Sequence, residues 1–600
     1  MLSIIILLSG ALLMGAPATN PGPGTAAIPA SPDTLRTAIV SAERGISVSR
    51  SDTLKSSASQ TIGELILQSP GLVLADYGGA AGVKTVNLRG LGSPHTSIRI
   101  DGIKVMNLQS GQTDLGMLGL ENFGGAVIDY AQNSIDFKTA RPVFNGRSIA
   151  GRFAFSGGSF STFLPQGRLD FKLSDRLCIS AHAAGIVSKG DFDCPDGTKR
   201  ENNDISQIKA GMGLFGITDG GDWMAKLYYN GSERGAPGST DYPSTDRQED
   251  RNAFAQGYFR KRLSALYSLD ISAKLAFDEV RYTSAWGDSD YRQKELQLNT
   301  AHKFNINGWL TLSAVAELSL GGINSTYYRA SRTGITAIAG AAFKLNRFRS
   351  DLTLQYERIA DKGGLRRDIV SPALDLRFRA SETLDITGFA RRAFRAPTFN
   401  ELYYPGYGNP DLRPEDAWLT DIGLDWHRSA SGHWTFKAKL DAFYNFLTDK
   451  ILSAPSEENP SQWLPYNIGT VRAKGLDAEA AAGYASNGWK TSFCARYSFQ
   501  TAEDVPYLAK HTAVLTASAD YRTWSVDAVW NLRAGRRDSY GPMPDWDTLD
   551  ITASKEFHLK NNSILSLEII CRNLTDREYA LVTGYPMPGR SLTAGLAFSF

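Results

Sequence analysis

The last ten residues, Ser591 to Phe600 (SLTAGLAFSF), decide the fold class. Every second residue from Leu592 to Phe600 is apolar, and the small or polar residues between them fall on the opposite face of a strand. An amphipathic strand at the edge of a soluble sheet is prone to aggregate, whereas a closed barrel leaves no such edge. We therefore expect this segment to be one strand of a closed β-barrel.

The same alternation recurs from about Arg147 onward, in segments of roughly ten residues separated by turn residues. Residues 351–357 (DLTLQYE), 374–379 (LDLRFR) and 436–444 (FKAKLDAFY) each place apolar residues at every second position, with mostly polar residues between them. Such strands suit a barrel that has lipid outside and water or a plug inside. A soluble sandwich would alternate as well, with its charged face toward solvent, so the period alone leaves both readings open.

Composition narrows the class further. Six hundred residues exceed one ordinary core, so two or more structural units are expected. The 64 basic and 62 acidic residues give a net charge of +2, which produces no strong field for nucleic acid. The mean hydropathy of −0.24 is too polar for a bundle of membrane helices.

The start of the chain predicts export. The apolar run from Leu2 to Met14 is shorter than the about 20 residues that a spanning helix needs, and a small-residue pattern, Ala16 to Ala18, follows it. We interpret residues 1–18 as a secretory signal peptide, although no Lys or Arg precedes the run. An N-terminal membrane anchor is the alternative.

Three further regions follow the signal. Residues 19–50 form a flexible leader rich in Pro, Gly and Ala, with an extended segment at about 33–42. Residues 51–140 predict a small α/β unit: a helix at 61–68, strands at 85–90 and 97–100, and an Asp101-Gly102 turn. Residues 141–600 predict the barrel.

The residues that enzymes and metal sites use are not grouped in this sequence. The four cysteines lack CxxC spacing and are too few for a disulfide scaffold, although Cys178 and Cys194 could pair across a loop. Neither a GxSxG nor an HExxH motif occurs. We therefore predict that the protein is not an enzyme and requires no cofactor.

Four motifs in order resemble the TonB-dependent receptors, over nearly the whole mature chain. Residues 33–42 (DTLRTAIVSA) resemble the TonB box. Residues 88–90 (LRG) with 100–103 (IDGI) resemble the plug signature, which is carried here by Arg89, Gly90, Asp101 and Gly102. The barrel motifs are 394–397 (FRAP) with 402–403 (LY), 409–415 (NPDLRPE), and 573–576 (NLTD) with Tyr579.

The resemblance implies a 22-stranded antiparallel transmembrane barrel in the outer membrane of a Gram-negative bacterium, closed by an N-terminal α/β plug. It also implies active import of a scarce, bulky nutrient, energised by TonB and its inner-membrane complex. TonB would add as a strand to the box, a mode of binding called β-augmentation. The residues expected to contact TonB are Leu35, Thr37, Ala38, Ile39, Val40 and Ser41.

The plug carries one expected lock and one departure from the family. Arg89 is expected to pair with a carboxylate on the barrel wall and so to hold the plug. After residues 127–131 (VIDYA) the family usually continues with an RGP element and a YGxxAxGGVxN segment, and residues 132–147 contain neither. We therefore expect the last plug strands to be shortened or differently packed.

Within the family, the chain most resembles the cobalamin transporters. Residues 93–97 (SPHTS) and 111–115 (GQTDL) resemble the two apical plug loops of that group, and 584–590 (GYPMPGR) its final segment. The resemblance places the ligand against the plug apex and upper barrel. The candidate ligand-binding residues are Ser93, Pro94, His95, Thr96, Asn107, Gln109, Gln112, Asp114, Tyr403, Tyr404 and Tyr407.

Acidic residues cluster in two predicted extracellular loops. Calcium prefers several carboxylate oxygens, and enterobacterial cobalamin transporters order such loops with calcium. The spacing here matches no rigid calcium-loop motif. Acidic loops that are exposed to solvent and bind no calcium are therefore an equally weighted alternative. The candidate calcium ligands are Asp191, Asp193, Asp196, Asp204, Asp241, Asp246 and Asp250.

Other functions remain open at this point. Haem receptors carry the same barrel motifs but usually place a histidine between them, and residues 398–408 (TFNELYYPGYG) contain none. Ferric siderophores would use the tyrosines of the same segment. A passive porin would need neither the plug nor residues 33–42, so deleting that segment separates the two classes. A surface lipoprotein partner is left open, and no nucleic acid is expected.

Overall fold

The computed structural model describes residues 17–18, 51–55, 61–430, 433–503 and 505–600. Of the predicted signal peptide it describes Pro17–Ala18, which pair in parallel with Gly78–Gly79. The predicted leader and TonB box lie outside the described residues. Among the described residues, no helix is long and apolar enough to cross a membrane.

The N-terminal unit is a small α/β plug. Its main sheet has the strand order β2-β8-β9-β6-β7, in which β6 and β9 are parallel, and β3 pairs with β5 in a separate hairpin. The strands are β1 Pro17–Ala18, β2 Ser51–Lys55, β3 Leu72–Asp76, β4 Gly78–Gly79, β5 Lys84–Leu88, β6 Ser97–Ile100, β7 Ile103–Lys104, β8 Phe123–Asp129 and β9 Ser134–Thr139.

One helix, α1 (Ile62–Leu67), packs on this plug sheet. It begins after Thr61, whose hydroxyl accepts a hydrogen bond from the Glu64 amide (3.2 Å), the usual role of a threonine at a helix N-terminus. Leu65 and Ile66 from α1 and Phe137 from β9 are fully buried in the core. Three 3₁₀ turns complete the plug, at Ser93–His95, Leu115–Met117 and Leu120–Asn122.

In the described part of the chain, 22 strands close into an antiparallel barrel, β10 to β30 in chain order and then β33. They are β10 Ile149–Gly158, β11 Thr162–Ser174, β12 Leu177–Ser188, β13 Ile205–Thr218, β14 Gly221–Gly238, β15 Pro243–Arg262, β16 Tyr267–Thr283, β17 Ser289–Asn305, β18 Leu310–Ser325, β19 Arg329–Leu345, β20 Phe348–Asp361, β21 Arg366–Arg379, β22 Leu384–Arg395, β23 Glu415–Ala430, β24 Trp434–Pro455, β25 Trp463–Ser486, β26 Trp489–Thr501, β27 His511–Tyr521, β28 Trp524–Ala534, β29 Trp546–His558, β30 Ile564–Arg572 and β33 Ser591–Ser599.

The connections are short on one side of the barrel and longer on the other. A short helix, α2 (Phe399–Tyr403), lies between β22 and β23, and a small hairpin, β31 (Ala580–Val582) with β32 (Tyr585–Pro586), lies between β30 and β33. Outer-membrane barrels have their short turns in the periplasm and their longer loops outside the cell. This rule orients the barrel, with the plug apex toward the longer loops.

The final strand closes the barrel as its sequence predicts. β33 pairs with β30 on one side and with β10 on the other, where Phe153 lies opposite Phe598. The ring of Phe600 stacks on that of Phe153, with ring centroids 6.3 Å apart. Every strand of the sheet therefore has two neighbours, and no edge is left unpaired.

The two faces of each strand settle the choice between barrel and sandwich. On β20, Leu352 and Leu354 are each 53% exposed on the outside, whereas the adjacent Asp351 is 4% exposed and faces the lumen. Apolar side chains outside and charged side chains inside are the reverse of a soluble sheet. The prediction of a lipid-facing barrel is confirmed.

The last two strands of the plug form a single hairpin, and the expectation that they are shortened relative to the family stays a prediction. β8 and β9 pair directly across the four-residue turn 130–133, and residues 140–148 then lead into β10. Asn133 takes a left-handed conformation in this turn (φ 47°). All four cysteines are free thiols, so the pairing considered for Cys178 and Cys194 is not formed.

A charge on the lipid-facing surface should unfold the barrel more readily. Leu352→Arg should lower the free energy of unfolding by about 2–4 kcal/mol, the cost of placing Arg at the depth of the hydrocarbon core. The measurement is urea-induced unfolding in lipid bilayers, followed by the heat-modifiable electrophoretic migration of the barrel. Thr353→Arg is the matched control because that position faces the lumen. Equal losses in the two variants would contradict the assignment of faces.

Candidate functional site

The plug is held in the barrel by buried ion pairs, of which Arg89 makes the most connections. Its Nη1 donates to Asp421 (2.7 Å), and its Nε and Nη2 both donate to Asp477 (3.1 and 2.8 Å). The guanidinium also lies over the rings of Tyr130 (4.2 Å) and Phe443 (4.4 Å). A buried guanidinium needs this many partners because removing it from water is costly. The expected pairing of Arg89 with the barrel wall is present, with two carboxylates.

The backbone around Arg89 explains the neighbouring glycine. Arg89 has φ 51° and Gly90 has φ 74°, so the chain turns sharply against the wall. A Cβ on Gly90 would lie 3.1 Å from Ala502 and 3.2 Å from Ala473. Glycine satisfies both the left-handed conformation and the close approach.

Asp101 in the second half of the signature is also a contact to the barrel. Its Oδ2 accepts from Lys226 on β14 (2.6 Å) and from the Thr139 hydroxyl (2.6 Å), and its Oδ1 accepts from the Thr139 amide (2.9 Å). Burial raises the pKa of Asp101, but the Lys226 ammonium and these hydrogen bonds outweigh it and hold the pKa below its usual value. The carboxylate is therefore ionised and fixes the plug to β14, next to the turn formed with Gly102.

Three more ion pairs join plug and barrel. Arg234 on β14 contacts Asp114 of the plug and Asp250 of β15, each at 3.0 Å. On other sides, Arg572 binds Glu64 (2.8 Å) and Lys439 binds Asp52 (2.6 Å). These three pairs use β14, β30 and β24. Two further lysines of the wall, Lys209 on β13 and Lys274 on β16, donate to the plug carbonyls of Leu118 (3.0 Å) and Lys104 (3.3 Å).

A network of charges joins the plug apex to the barrel rim. The His95 imidazole contacts the carboxylate of Glu415, the first residue of β23. Glu415 also contacts Arg395, and Arg395 binds Glu401 of α2 through two hydrogen bonds of 2.9 and 3.1 Å. His95 is thus held from below by Asn133, whose side chain donates to its carbonyl (3.0 Å), and from the side by Glu415.

The segment that carries α2 folds down onto the plug. Thr398 and Glu401 form a reciprocal capping box at the start of the helix. The amides of Phe399 and Asn400 donate to the carbonyls of Leu108 (2.8 Å) and Gln109 (3.2 Å) in the plug. Residues 108–109, just before the second apical loop, are therefore bound by main-chain hydrogen bonds to the segment that carries the FRAP and NPDLRPE motifs.

The three tyrosines predicted in the upper barrel lie beside this contact. Tyr403 donates to Asp361 (2.8 Å), and the Tyr407 hydroxyl lies 2.8 Å from that of Ser453. The Tyr404 ring packs against Tyr327, with centroids 5.0 Å apart. The structure adds Tyr291, Tyr327 and Tyr328 to this aromatic wall, which sequence reasoning missed because they lie on β17 and in the connection from β18 to β19.

The predicted apical residues divide into two sets by burial. Thr96, Gln109 and Asp114 are buried: the Thr96 hydroxyl accepts from the Leu88 amide (2.9 Å), and Asp114 binds Arg234. The other set is half-buried at the top of the plug and consists of Ser93, Pro94, His95, Asn107 and Gln112. The His95 side chain itself is 5% exposed, so the members of this set at the surface are Ser93, Pro94, Asn107 and Gln112.

The aspartates proposed as calcium ligands have other partners. Asp204 binds Arg247 (2.6 Å), Asp193 binds Lys199 (2.8 Å), and Asp246 accepts from the Tyr282 hydroxyl (2.6 Å). Within the described ranges, no group of three or more His, Cys, Asp or Glu residues is placed to hold a metal. Calcium binding stays a prediction. The others of the set are Asp191, Asp196, Asp241 and the buried Asp250.

The TonB-contacting residues predicted from the sequence, Leu35 and Thr37 to Ser41, lie outside the described residues. The barrel residues that bind the plug could not be identified from the local sequence either. Asp421 and Asp477 stand at lumen-facing positions of β23 and β25, where nothing in the neighbouring sequence marks them. Glu415, by contrast, lies within the NPDLRPE motif, so the motif itself is a signal that could have found it.

Two family models match the chain. The model described as "TonB dependent receptor-like, beta-barrel" matches residues 144–574, and "TonB-dependent Receptor Plug Domain" matches residues 39–139. Together they cover both structural units seen here.

Curated relatives span almost the full length. The vitamin B12 transporter BtuB of Photobacterium profundum is 22% identical over 595 residues, 92% of either chain. That of Vibrio vulnificus is 23% identical over 565 residues, covering 86% of this chain and 85% of the relative.

Solved structures share the fold. The FrpB iron transporter from Neisseria meningitidis (F3-3 variant) superimposes with a TM-score of 0.77 at 13% identity, over 93% of this chain and 99% of that one. The copper transporter OprC superimposes with a TM-score of 0.74 at 15% identity, over 92% of this chain and 99% of that one. At this identity the likeness concerns the fold alone.

Removing the Arg89 side chain should loosen the plug. Arg89→Ala leaves Asp421 and Asp477 buried without their cation, at a cost of about 3–5 kcal/mol in the free energy that holds the plug in place. Protease cleavage of the plug in detergent-folded protein is the measurement, and cleavage should accelerate. The cleavage rate of Arg89→Lys should lie between those of the parent and of Arg89→Ala, because lysine keeps the charge but cannot donate to both carboxylates in the same way. Parent-like resistance in Arg89→Ala would contradict the role.

Proposed function

The chain belongs to the TonB-dependent receptors, and from this premise we propose that it imports cobalamin across the outer membrane of a Gram-negative cell. The class of the protein is a TonB-dependent transporter with a β-barrel and a plug. The cargo, the energising contact and the cellular location belong to the proposal.

One observation carries the choice of cargo. The curated relatives named above as vitamin B12 transporters match this chain over plug and barrel together, at 92% coverage of both chains in the first case. The iron and copper transporters among the solved structures are less similar in sequence, at 13% and 15% identity. Identity of 22–23% is low, so the cargo needs a direct test.

The plug apex supports a large ligand that is rich in hydrogen-bonding groups. Ser93, Asn107 and Gln112 present hydroxyl and amide groups at the top of the plug, and the tyrosine wall around Tyr404 stands beside them. Cobalamin combines a broad ring system with peripheral carboxamides and a phosphodiester, which suits aromatic and neutral polar partners. No charge on the apex is required for such a ligand.

The apical histidine argues against haem. A haem-ligating histidine must present a ring nitrogen that the iron can reach. His95 is 5% exposed at its side chain and its Nε2 contacts Glu415. The aromatic wall keeps ferric siderophores as the second candidate, because tyrosines are suitable partners for such chelates.

The ion pairs around the plug support active transport over passive flow. Arg89, Arg234 and Arg572 each form an ion pair between plug and barrel, so the lumen is obstructed by a unit that is held in place. The outer membrane has no ATP and no ion gradient to displace it. A contact with TonB through residues 33–42 supplies the work in this proposal, and a surface lipoprotein would be an additional partner.

Cobalamin binding is the first test. Purified, detergent-folded receptor should bind radiolabelled cyanocobalamin, and Gln112→Ala should weaken the affinity by roughly fivefold to tenfold because one hydrogen bond is lost. Gln355→Ala is the control, since Gln355 lies on the lumen face of β20 and bonds to Glu357. A chelator should weaken binding if the acidic loops hold calcium. Binding of haem or a ferric siderophore without cobalamin binding would overturn the cargo.

The energising contact has its own test. Ile39→Pro removes an amide that a pairing strand needs, so uptake of cobalamin into cells should be lost while binding to the purified receptor stays as in the parent. Ile28→Pro is the matched control because it lies in the proline-rich leader, outside residues 33–42. Unchanged uptake in Ile39→Pro would refute the position of the TonB box.

A further inference from the structure

We propose that the outer surface of β14 to β17 is a binding site for one molecule of lipid A, the phosphorylated and acylated disaccharide of the outer leaflet. An apolar groove in the barrel wall takes an acyl chain, and basic side chains toward the extracellular end of the same strands take the phosphates. The proposal goes beyond the import function. It rests on the outer-membrane location proposed above and is independent of the cargo.

The groove is a cavity of ≈ 400 Å³ on the lipid-facing side of the wall. Leu227 and Leu275 border it and are 60% and 58% exposed, so it opens outward. Ala225 lies opposite Gly257, which in turn lies opposite Ala273, so a floor of small residues continues across three strands. A depression of this kind on a surface that faces lipid is suited to a flexible hydrocarbon chain.

The polar residues that border the groove turn their side chains to the other face of the wall. Lys226, Gln256 and Lys274 alternate with the groove residues along β14, β15 and β16. Lys226 binds Asp101 of the plug (2.6 Å), and Gln256 and Lys274 donate to plug carbonyls (2.9 and 3.3 Å). The groove surface is therefore left to apolar groups, on the outer face of a wall segment whose inner face binds the plug.

The groove lies at the depth of the acyl chains. Toward the extracellular end, the outward residues of β14 and β16 change from aliphatic to aromatic at Tyr229 and Phe277, which are 43% and 38% exposed. On β16 they then become charged, at Glu279 and Arg281. Aromatic residues of outer-membrane barrels mark the boundary between hydrocarbon and head groups. The charged positions therefore stand at the level of the head groups, with the groove on the hydrocarbon side of that boundary.

Basic side chains cluster on the outer face at this level. Arg251, Glu279 and Arg292 lie directly opposite one another on β15, β16 and β17, so the backbones of the two arginines are about 10 Å apart, two strand spacings. Glu279 is shared between them, at 2.8 Å from Arg292 and 3.8 Å from Arg251, and Glu249 is 3.5 Å from Arg251. Lys294 is exposed next to Arg292, and no carboxylate of the described residues forms an ion pair with it. Arg251, Arg292 and Lys294 form the basic cluster.

The basic cluster suits phosphate. Its three cations face two carboxylates, and exposed ion pairs are weak, so a phosphate can take the place of a carboxylate partner. Arginine presents parallel N–H donors that match two phosphate oxygens. Lipid A carries phosphates at the two ends of its disaccharide, which can reach the cations on both sides of Glu279, whereas the single phosphate of a phospholipid reaches one side. Its acyl chains extend toward the groove, so the order of head group and hydrocarbon matches the order of the basic cluster and the groove.

Titration with lipid A, followed by native mass spectrometry, tests the basic cluster. The detergent-folded receptor should bind one bisphosphoryl lipid A, and the double variant Arg251→Gln, Lys294→Gln should raise the dissociation constant at least about tenfold. Monophosphoryl lipid A should bind the parent more weakly than the bisphosphoryl form, and the double variant should bind the two forms about equally. Lys474→Gln is the matched control, because Lys474 is an exposed lysine on the outer face of β25, opposite Tyr444 and away from the groove.

Filling the groove tests the acyl-chain site separately. Ala255→Phe places a ring among the small residues of the groove and should raise the dissociation constant of both forms of lipid A by about fivefold. Ala337→Phe is the matched control, because Ala337 is an exposed, lipid-facing alanine on β19, outside the groove. Heat-modifiable migration shows that each variant is folded, and phosphatidylglycerol serves as the competing lipid.

The outcomes separate this site from the proposed cargo. Parent-like affinity for lipid A in the double variant or in Ala255→Phe would overturn the site. A loss in Lys474→Gln as large as that in the double variant would show that any basic residue on the outer face suffices, which also overturns it. Displacement of lipid A by an equal concentration of phosphatidylglycerol would overturn the choice of lipid, and a receptor dimer without bound lipid would assign the groove to a second copy of the chain. A receptor that binds lipid A but no cobalamin would overturn the cargo alone.

Discussion

Within a bilayer no water is available to bond to the backbone, so every amide and carbonyl of a membrane-spanning sheet must pair with another strand. This constraint forces β10 and β33, the first and last strands of the barrel, to meet. Closure in turn assigns the two faces. Side chains such as Leu352 must lie against lipid, and Asp351 beside it must lie inside. A polar lumen is therefore a consequence of the closed sheet, before any function is considered.

A polar lumen determines how a plug can be held. An apolar core would fix it permanently, whereas charged and amide groups on the wall can bind it and later be rehydrated. Buried ion pairs add little net stability but are strongly destabilising when one partner is removed, so they specify position more than they add affinity. Arg89 and Asp101 fit this role: each holds the plug at one register against carboxylates or an ammonium of the wall. Specific placement with moderate holding energy suits a unit that must move.

The sequence predicts those features that depend on residues close together in the chain. Alternation of polarity has a period of two residues, so the barrel strands and their two faces could be inferred directly. The partners of Arg89 could not, because Asp421 and Asp477 lie 332 and 388 residues away and occupy ordinary lumen-facing positions. Asp250 shows the same limit: it is close to other aspartates in sequence, yet in space it binds Arg234. Proximity along the chain says little about which wall position a side chain meets.

The positions of the ion pairs along the plug sheet connect these points to transport. β2, nearest to the predicted TonB box, lies at one edge of the plug sheet, and β7 lies at the other. Across the sheet, a pull on β2 reaches β7 through β8, β9 and β6, and the contact that yields first depends on the weakest one on the way. The ion pair of Asp52 with Lys439 lies near the pulled end, and that of Asp101 with Lys226 lies at the turn that leads into the far edge strand, β7. Coupling between the two edges needs no long-range pathway, because a single sheet joins them and each edge has its own release cost.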